Sequence, residues 1–172
     1  MVIVDVQGFF QGEGANKMFH PKDLAIYNVT PDELSTFYIR SVWGRSYRTE
    51  EQEALDNAYD EANGLQDYQE ETDARDLDYV KYRLRLIPAG ADVIVVNNWK
   101  KKWLETMIHN RIRIIDVDIE SLLDLDIEVE LCNYHSWSGA VGRRQCAVTI
   151  TLLCHLWLCD AIQVKKIIFS KL

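Results

Sequence analysis

The residues that most constrain the fold are the first six. Val2-Ile3-Val4-Asp5-Val6 is an apolar run broken by one carboxylate, and such a run without polar alternation reads as a strand buried on both faces. Asp92-Val93-Ile94-Val95-Val96 has the same character. Asp23 to Val29 and Ser35 to Ser41 read as further strands, separated by the turn residues Thr30-Pro31-Asp32, while Gln11 to Lys17 is a turn rich in residues that accept positive φ. Three strands joined by short turns make an antiparallel meander.

Helical spacing appears later. Leu77 to Ile87 has apolar residues at helical intervals, and Pro88-Ala89-Gly90 ends it. A helix is expected from Trp99 to about His109, a strand from Arg113 to Val117, a short helix from Ile119 to Leu123, and a final apolar helix from Ala147 to about Ala161. Residues 49 to 76 hold many acids and few aliphatics, and read as a surface helix or a partly ordered insertion. A meander followed by strands separated by helices predicts an α/β fold: a mixed five-stranded sheet in the order 3-2-1-4-5, flanked by helices, in one domain spanning 1–172 with an acidic insertion at about 48–76.

The chain of 172 residues, 48% hydrophobic and 27% charged, has the composition of a soluble domain large enough to build a core. Its formal charge of -8 argues against broad, sequence-blind binding to nucleic acid, though not against a local basic groove. The Ala147 to Cys159 run is shorter than a span of about 20 residues, so no membrane partner is expected. No apolar signal core opens the chain, which predicts an intracellular, cytoplasmic or nuclear protein with free or metal-bound thiols.

The order of elements, with Asp5 at the end of the first strand, resembles the ribonuclease-H-like fold of the DEDD exonucleases. There, Asp-x-Glu on the first strand joins two further acids to hold two metal ions that hydrolyse phosphodiesters. The resemblance makes the expected catalytic set vestigial. Gln7 stands where the second acid is expected, and a neutral amide cannot supply the charge that Mg²⁺ prefers. In Val96-Asn97-Asn98-Trp99-Lys100-Lys101-Lys102 the metal-binding Asp falls on Lys101 or Lys102, a charge reversal. In the third motif, His135 is matched, but the acid falls on Ala140. No Mg²⁺ is expected, and catalysis is expected to be impaired. The plainer reading of Asp5 itself is a strand-end acid that caps a turn or pairs with Lys101 or Lys102.

Cys132-Asn133-Tyr134-His135 followed by Cys146 makes Cys-x2-His-x10-Cys, soft ligands at a spacing that suits tetrahedral Zn²⁺. This arrangement resembles the Maelstrom domain, an exonuclease-like family of the germline small-RNA pathway whose catalytic acids are exchanged for a zinc site. The resemblance implies a fourth ligand on the second strand, at Asp23, and a structural zinc held by Asp23, Cys132, His135 and Cys146. It implies binding to RNA or a partner protein in small-RNA silencing. Trp99-Lys100-Lys101-Lys102-Trp103 mixes basic and aromatic residues, as single-strand binders do. With Arg143 and Arg144, these lysines form the expected nucleic-acid patch, although as a helix start the segment equally suits tryptophans in the core and lysines in solvent. Cys154 and Cys159 read as packing residues on an apolar helix, and His155 as a packed or edge residue. Asp116, Asp118 and Glu120 read as a helix cap and acidic first turn. Two alternatives stay open: an active nuclease using Asp5 with Asp116 or Asp118, and a pure protein-interaction module.

Overall fold

A computed structural model of the chain describes residues 1–12, 14, 17–39, 49–63, 74–115 and 146–169. In chain order the elements are β1 (Val2–Gln11), β2 (Met18–Asn28), β3 (Glu33–Ile39), α1 (Glu50–Asn63), β4 (Ala74–Arg75), α2 (Leu77–Arg85), β5 (Val93–Val95), α3 (Asn98–Glu105), β6 (Ile112–Ile114) and α4 (Ala147–Phe169). The expected short helix at 119 to 123 and the segment from Glu128 through Ser138 to Gly142 lie outside the described residues.

The strands form one sheet in the order β4-β3-β2-β1-β5-β6. β1, β2 and β3 pair antiparallel as a meander, and β5 and β6 join β1 in parallel. Set aside the two-residue β4, and this is the expected mixed five-stranded sheet in the expected order, the ribonuclease-H-like arrangement. β4 is an addition at the edge, where Ala74 and Arg75 run parallel to Tyr38 and Ile39. The acidic region before it contains a helix. Thr49 Oγ1 accepts from the Gln52 amide (3.2 Å) while the Thr49 amide donates to Gln52 Oε1 (3.0 Å), a reciprocal cap that starts α1.

β1 lies between β2 and β5, and alternation along it sends side chains to two separate cores. Val2, Val4 and Val6 join Leu24, Ile26, Phe37 and Ile39 beneath Val80 and Leu84 of α2 and Leu104 of α3. Ile3 joins Tyr27, Ile94 and Val96 beneath Ile150, Leu153 and Cys154 of α4. A strand buried on both faces needs apolar residues at both parities, which is why Val2 to Val6 shows no polar alternation. β1 and β2 both extend well past the expected strand ends, to Gln11 and back to Met18, because they stay paired that far. Among the described residues, no helix is long and apolar enough to cross a membrane; α4 is instead covered by the sheet along its first turns.

Candidate functional site

Asp5 shares its face of β1 with Ile3 and Gln7, toward α4. Across the parallel pair, β5 ends at Val95 and the chain turns into α3. Asn97 caps that helix: its Oδ1 accepts from the Lys100 amide at 3.0 Å. The cap sets the helical phase. Lys100 and Leu104, one turn apart, are both buried, so the helix presents that face to the sheet. Successive residues rotate by about 100°, and only one of three adjacent lysines can point inward.

That lysine is Lys100. Its Nζ lies 2.6 Å from Asp5 Oδ1, and both side chains are 1% exposed. Gln7 Nε2 donates to the other oxygen, Asp5 Oδ2, at 2.7 Å. Both carboxylate oxygens are therefore occupied, one by an ammonium and one by the amide standing where a second acid was expected. The expected charge reversal is present one or two residues from where motif counting put it, at Lys100 and not at Lys101 or Lys102. Counting from a remnant motif ignores the cap that sets helical phase. Lys100 correspondingly leaves the surface patch to which it was assigned: a buried, paired ammonium is not presented to phosphate.

Burial pushes Asp5 up to about 6 against the opposing pull of Lys100 and Gln7. The Cys154 thiol, buried nearby, is pushed up to about 12 by desolvation and by the Asp5 charge. Cys154 is thus a neutral packing group, as its apolar setting implied. Between about pH 4 and 6 the folded state holds a proton on Asp5 that the unfolded state has lost, so raising pH through this window removes stability contributed by this group. We expect the difference in unfolding free energy between wild type and Asp5→Asn to fall from pH 4 to 6 and level off above, in urea titrations at half-unit steps. A difference that rises with pH would contradict this balance of burial and pairing.

One strand over, Asp23 pairs in register with Gln7. Its Oδ2 accepts from the Ala147 amide at 3.0 Å, which ties β2 to the start of α4. Cys146 is the residue just before that helix. The Thr149 amide donates to its Sγ (3.4 Å), and Thr149 Oγ1 lies 3.1 Å away. Asp23 and Cys146, two of the expected zinc ligands, are therefore brought together at one helix N-terminus, where backbone N–H groups favour negative charge. Cys132 and His135 lie outside the described residues. Among the described residues, no three His, Cys, Asp or Glu side chains gather as a metal set.

A bulge between Gln7 and Gly8 of β1 reaches His20. Opposite these two residues, β2 carries Asp23, Lys22 and Pro21, so Lys22 is the extra residue and side-chain parity inverts beyond it. His20 is thereby brought to the Phe9 side of the hairpin, ring centroids 5.2 Å apart, and is buried. Without the bulge, even-numbered His20 would share the face of Leu24. This is the site neighbour that sequence reasoning missed, and the signal was Gly8: a Cβ there would lie 2.0 Å from the His20 carbonyl oxygen. Lys22 is buried as well, its Nζ 5.4 Å from the centre of the Tyr38 ring.

Of the expected nucleic-acid patch, Lys102 is exposed and Lys101 is half-buried, 3.7 Å from Glu105. Trp99 and Trp103 pack partly buried against the first core, the plainer of their two readings. Arg143 and Arg144 lie outside the described residues, as do Asp116 and Asp118. His155 is half-buried, its ring edge-on to Tyr27 at 4.8 Å, with Cys159 Sγ 3.7 Å from its Nε2. Comparisons with protein-family models, curated proteins and solved structures return no match.

Proposed function

We propose that this ribonuclease-H-like domain binds RNA without cutting it, and that a structural zinc secures its site. The observation that carries the reading is the buried Asp5 carboxylate, closed by Lys100 on one oxygen and Gln7 on the other. Two-metal hydrolysis needs several carboxylates free to coordinate divalent ions. An ammonium already neutralises Asp5, and Gln7 adds no charge, so a Mg²⁺ ion arriving there meets a cation in its place.

The zinc would be held by Asp23, Cys132, His135 and Cys146. Support comes from the hydrogen bond between Asp23 and the amide of Ala147, the residue that follows Cys146. Zinc with four protein ligands supplies cross-linking and no bound water, so its contribution is to tie β2 to α4. The resemblance to the Maelstrom domain extends this proposal to a role in small-RNA silencing. A protein-interaction module is the second reading, favoured by the formal charge of -8.

Two measurements test the proposal. Incubating the protein with labelled single-stranded RNA and Mg²⁺ or Mn²⁺ should leave the RNA at full length; shortening that disappears in Asp5→Ala would overturn the non-cutting reading. Elemental mass spectrometry should find stoichiometric zinc in wild type and none in Cys146→Ser. Serine is itself a good helix cap, so this variant keeps the helix start while removing the soft donor. Zinc absent from wild type, or retained by the variant, sinks the proposed ligand set.

A further inference from the structure

α2 has apolar residues on two sides, and the core covers only one of them. Val80 and Leu84 are fully buried against the sheet. Tyr79, Tyr82 and Leu86 stand at i, i+3 and i+7, the spacing of one helical stripe, and face outward. They are 39%, 57% and 56% exposed, three of the nine exposed large hydrophobics among the described residues. Scattered apolar residues on a surface are ordinary, but a contiguous stripe marks an interface. Tyr79 is also held in one orientation. Phe37 lies edge-on to its ring at 6.1 Å, the Arg75 guanidinium is 5.7 Å from the ring centre, and Arg83 Nη1 donates to its hydroxyl at 3.3 Å. A tyrosine fixed in advance loses little freedom when a partner covers it.

The charges beside the stripe have opposite signs at its two ends. Asp78 lies in the first turn of α2 and Arg85 in the last. Seven residues apart, about two helical turns, they share one edge of the stripe. Asp78 Oδ1 is 3.2 Å from Lys81 Nζ, an exposed contact that stabilises little, and the Asp78 side chain is 92% exposed, open to a second cation. Arg85 has no ion-pair partner among the described residues. Turned end for end, the helix is therefore its own complement. In an antiparallel pair of α2 helices with a two-fold axis beside Tyr82, Tyr82 meets Tyr82 of the second copy. Tyr79 then meets Leu86 and Asp78 meets Arg85, each contact occurring twice. A parallel pair would instead set Asp78 against Asp78 and Arg85 against Arg85, which like-charge repulsion disfavours.

We propose that the outward face of α2 is a two-fold interface between copies of this chain, an antiparallel α2 pair centred on Tyr82. The stripe is short against the roughly 1,200 Å² that stable complexes bury, so the dimer is weak and forms only at high concentration. The proposal is independent of the RNA and zinc readings, since α2 covers the opposite face of the sheet from α4.

Sedimentation equilibrium from about 10 μM to about 1 mM, the range in which a small interface associates, should show monomer and dimer in wild type. Tyr82→Glu should weaken the dimer about tenfold or more, the loss expected of a central aromatic anchor. Tyr82 is exposed in the monomer, so this variant keeps its core, and urea unfolding checks that it does. Asp78→Arg and Arg85→Asp, each alone, set like charges together twice per dimer and should weaken it about tenfold. Mixed in equal amounts, these two variants should associate as wild type does, because both ends of the mixed pair again join opposite charges. Monomeric wild type at the highest concentration overturns the interface and leaves the stripe to a different protein. A dimer untouched by Tyr82→Glu overturns α2 as the contact. A mixture as weak as its components overturns the antiparallel arrangement.

Discussion

Lys100→Ala is expected to lose about 3–5 kcal/mol of unfolding free energy, the cost of leaving a buried charge without its partner. The 2.6 Å contact between Lys100 and Asp5 is out of water on both sides, so neither group can recover its hydration when the other is removed. Gln7 still donates to Asp5, but a neutral amide does not balance a buried carboxylate. In the reverse variant, Asp5→Asn, the unpaired ammonium is the costly group. The double variant Asp5→Asn/Lys100→Met should recover most of the loss, because a buried pair replaced by neutral groups of similar volume is often near neutral. Urea unfolding of the four proteins gives the coupling energy directly. A loss below about 1 kcal/mol in Lys100→Ala, the range of exposed pairs, would show that the pair is hydrated in solution. Lys100→Ala is not expected to gain Mg²⁺-dependent hydrolysis, since removing the ammonium restores no missing acid.

Gly8→Ala should be comparably damaging, at about 3 kcal/mol, the upper part of the range for forcing atoms into packed space. The added Cβ would lie 2.0 Å from the His20 carbonyl oxygen and 2.9 Å from the Pro21 Cα. These are backbone atoms of a paired strand, and no side-chain rotation relieves the overlap. The hairpin would have to part at its bulge, which carries His20, Lys22 and Asp23. We therefore expect faster amide exchange in residues 18–24 as well as lower stability. Gly90 is the control, since a Cβ there meets nothing within 4 Å; Gly90→Ala should stay within about 0.5 kcal/mol of wild type, as exposed substitutions do. Equal stabilities for the two variants would mean that the β1–β2 bulge is not as close in solution.

The sheet was legible because its signals are local. Buried runs at Val2–Val6 and Val93–Val95, turn residues between β2 and β3, and Pro88 after α2 each act over a few residues, and they determine which segments become strands and where a helix stops. Element ends were less legible. β2 begins at Met18 and not at Asp23, and β6 begins at Ile112 and not at Arg113, because pairing with a neighbour decides where a strand starts.

The site divides along the same line. The sequence by itself determined that a buried acid on the first strand lacks its acidic companion, and that lysines follow the apolar strand at Val93–Val95. Those facts depend only on residue identity and the order of elements. Which lysine meets Asp5 was decided by tertiary structure, since the Asn97 cap sets helical phase and a shift of one residue turns a side chain by about 100°. Tertiary structure also brought His20 across to the Phe9 side, because one extra residue in β2 inverts parity. It placed Phe10 against Trp99 as well, 89 residues apart in the chain (99 − 10). Register, phase and long-range contact are properties of paired elements, and no single segment of sequence contains them.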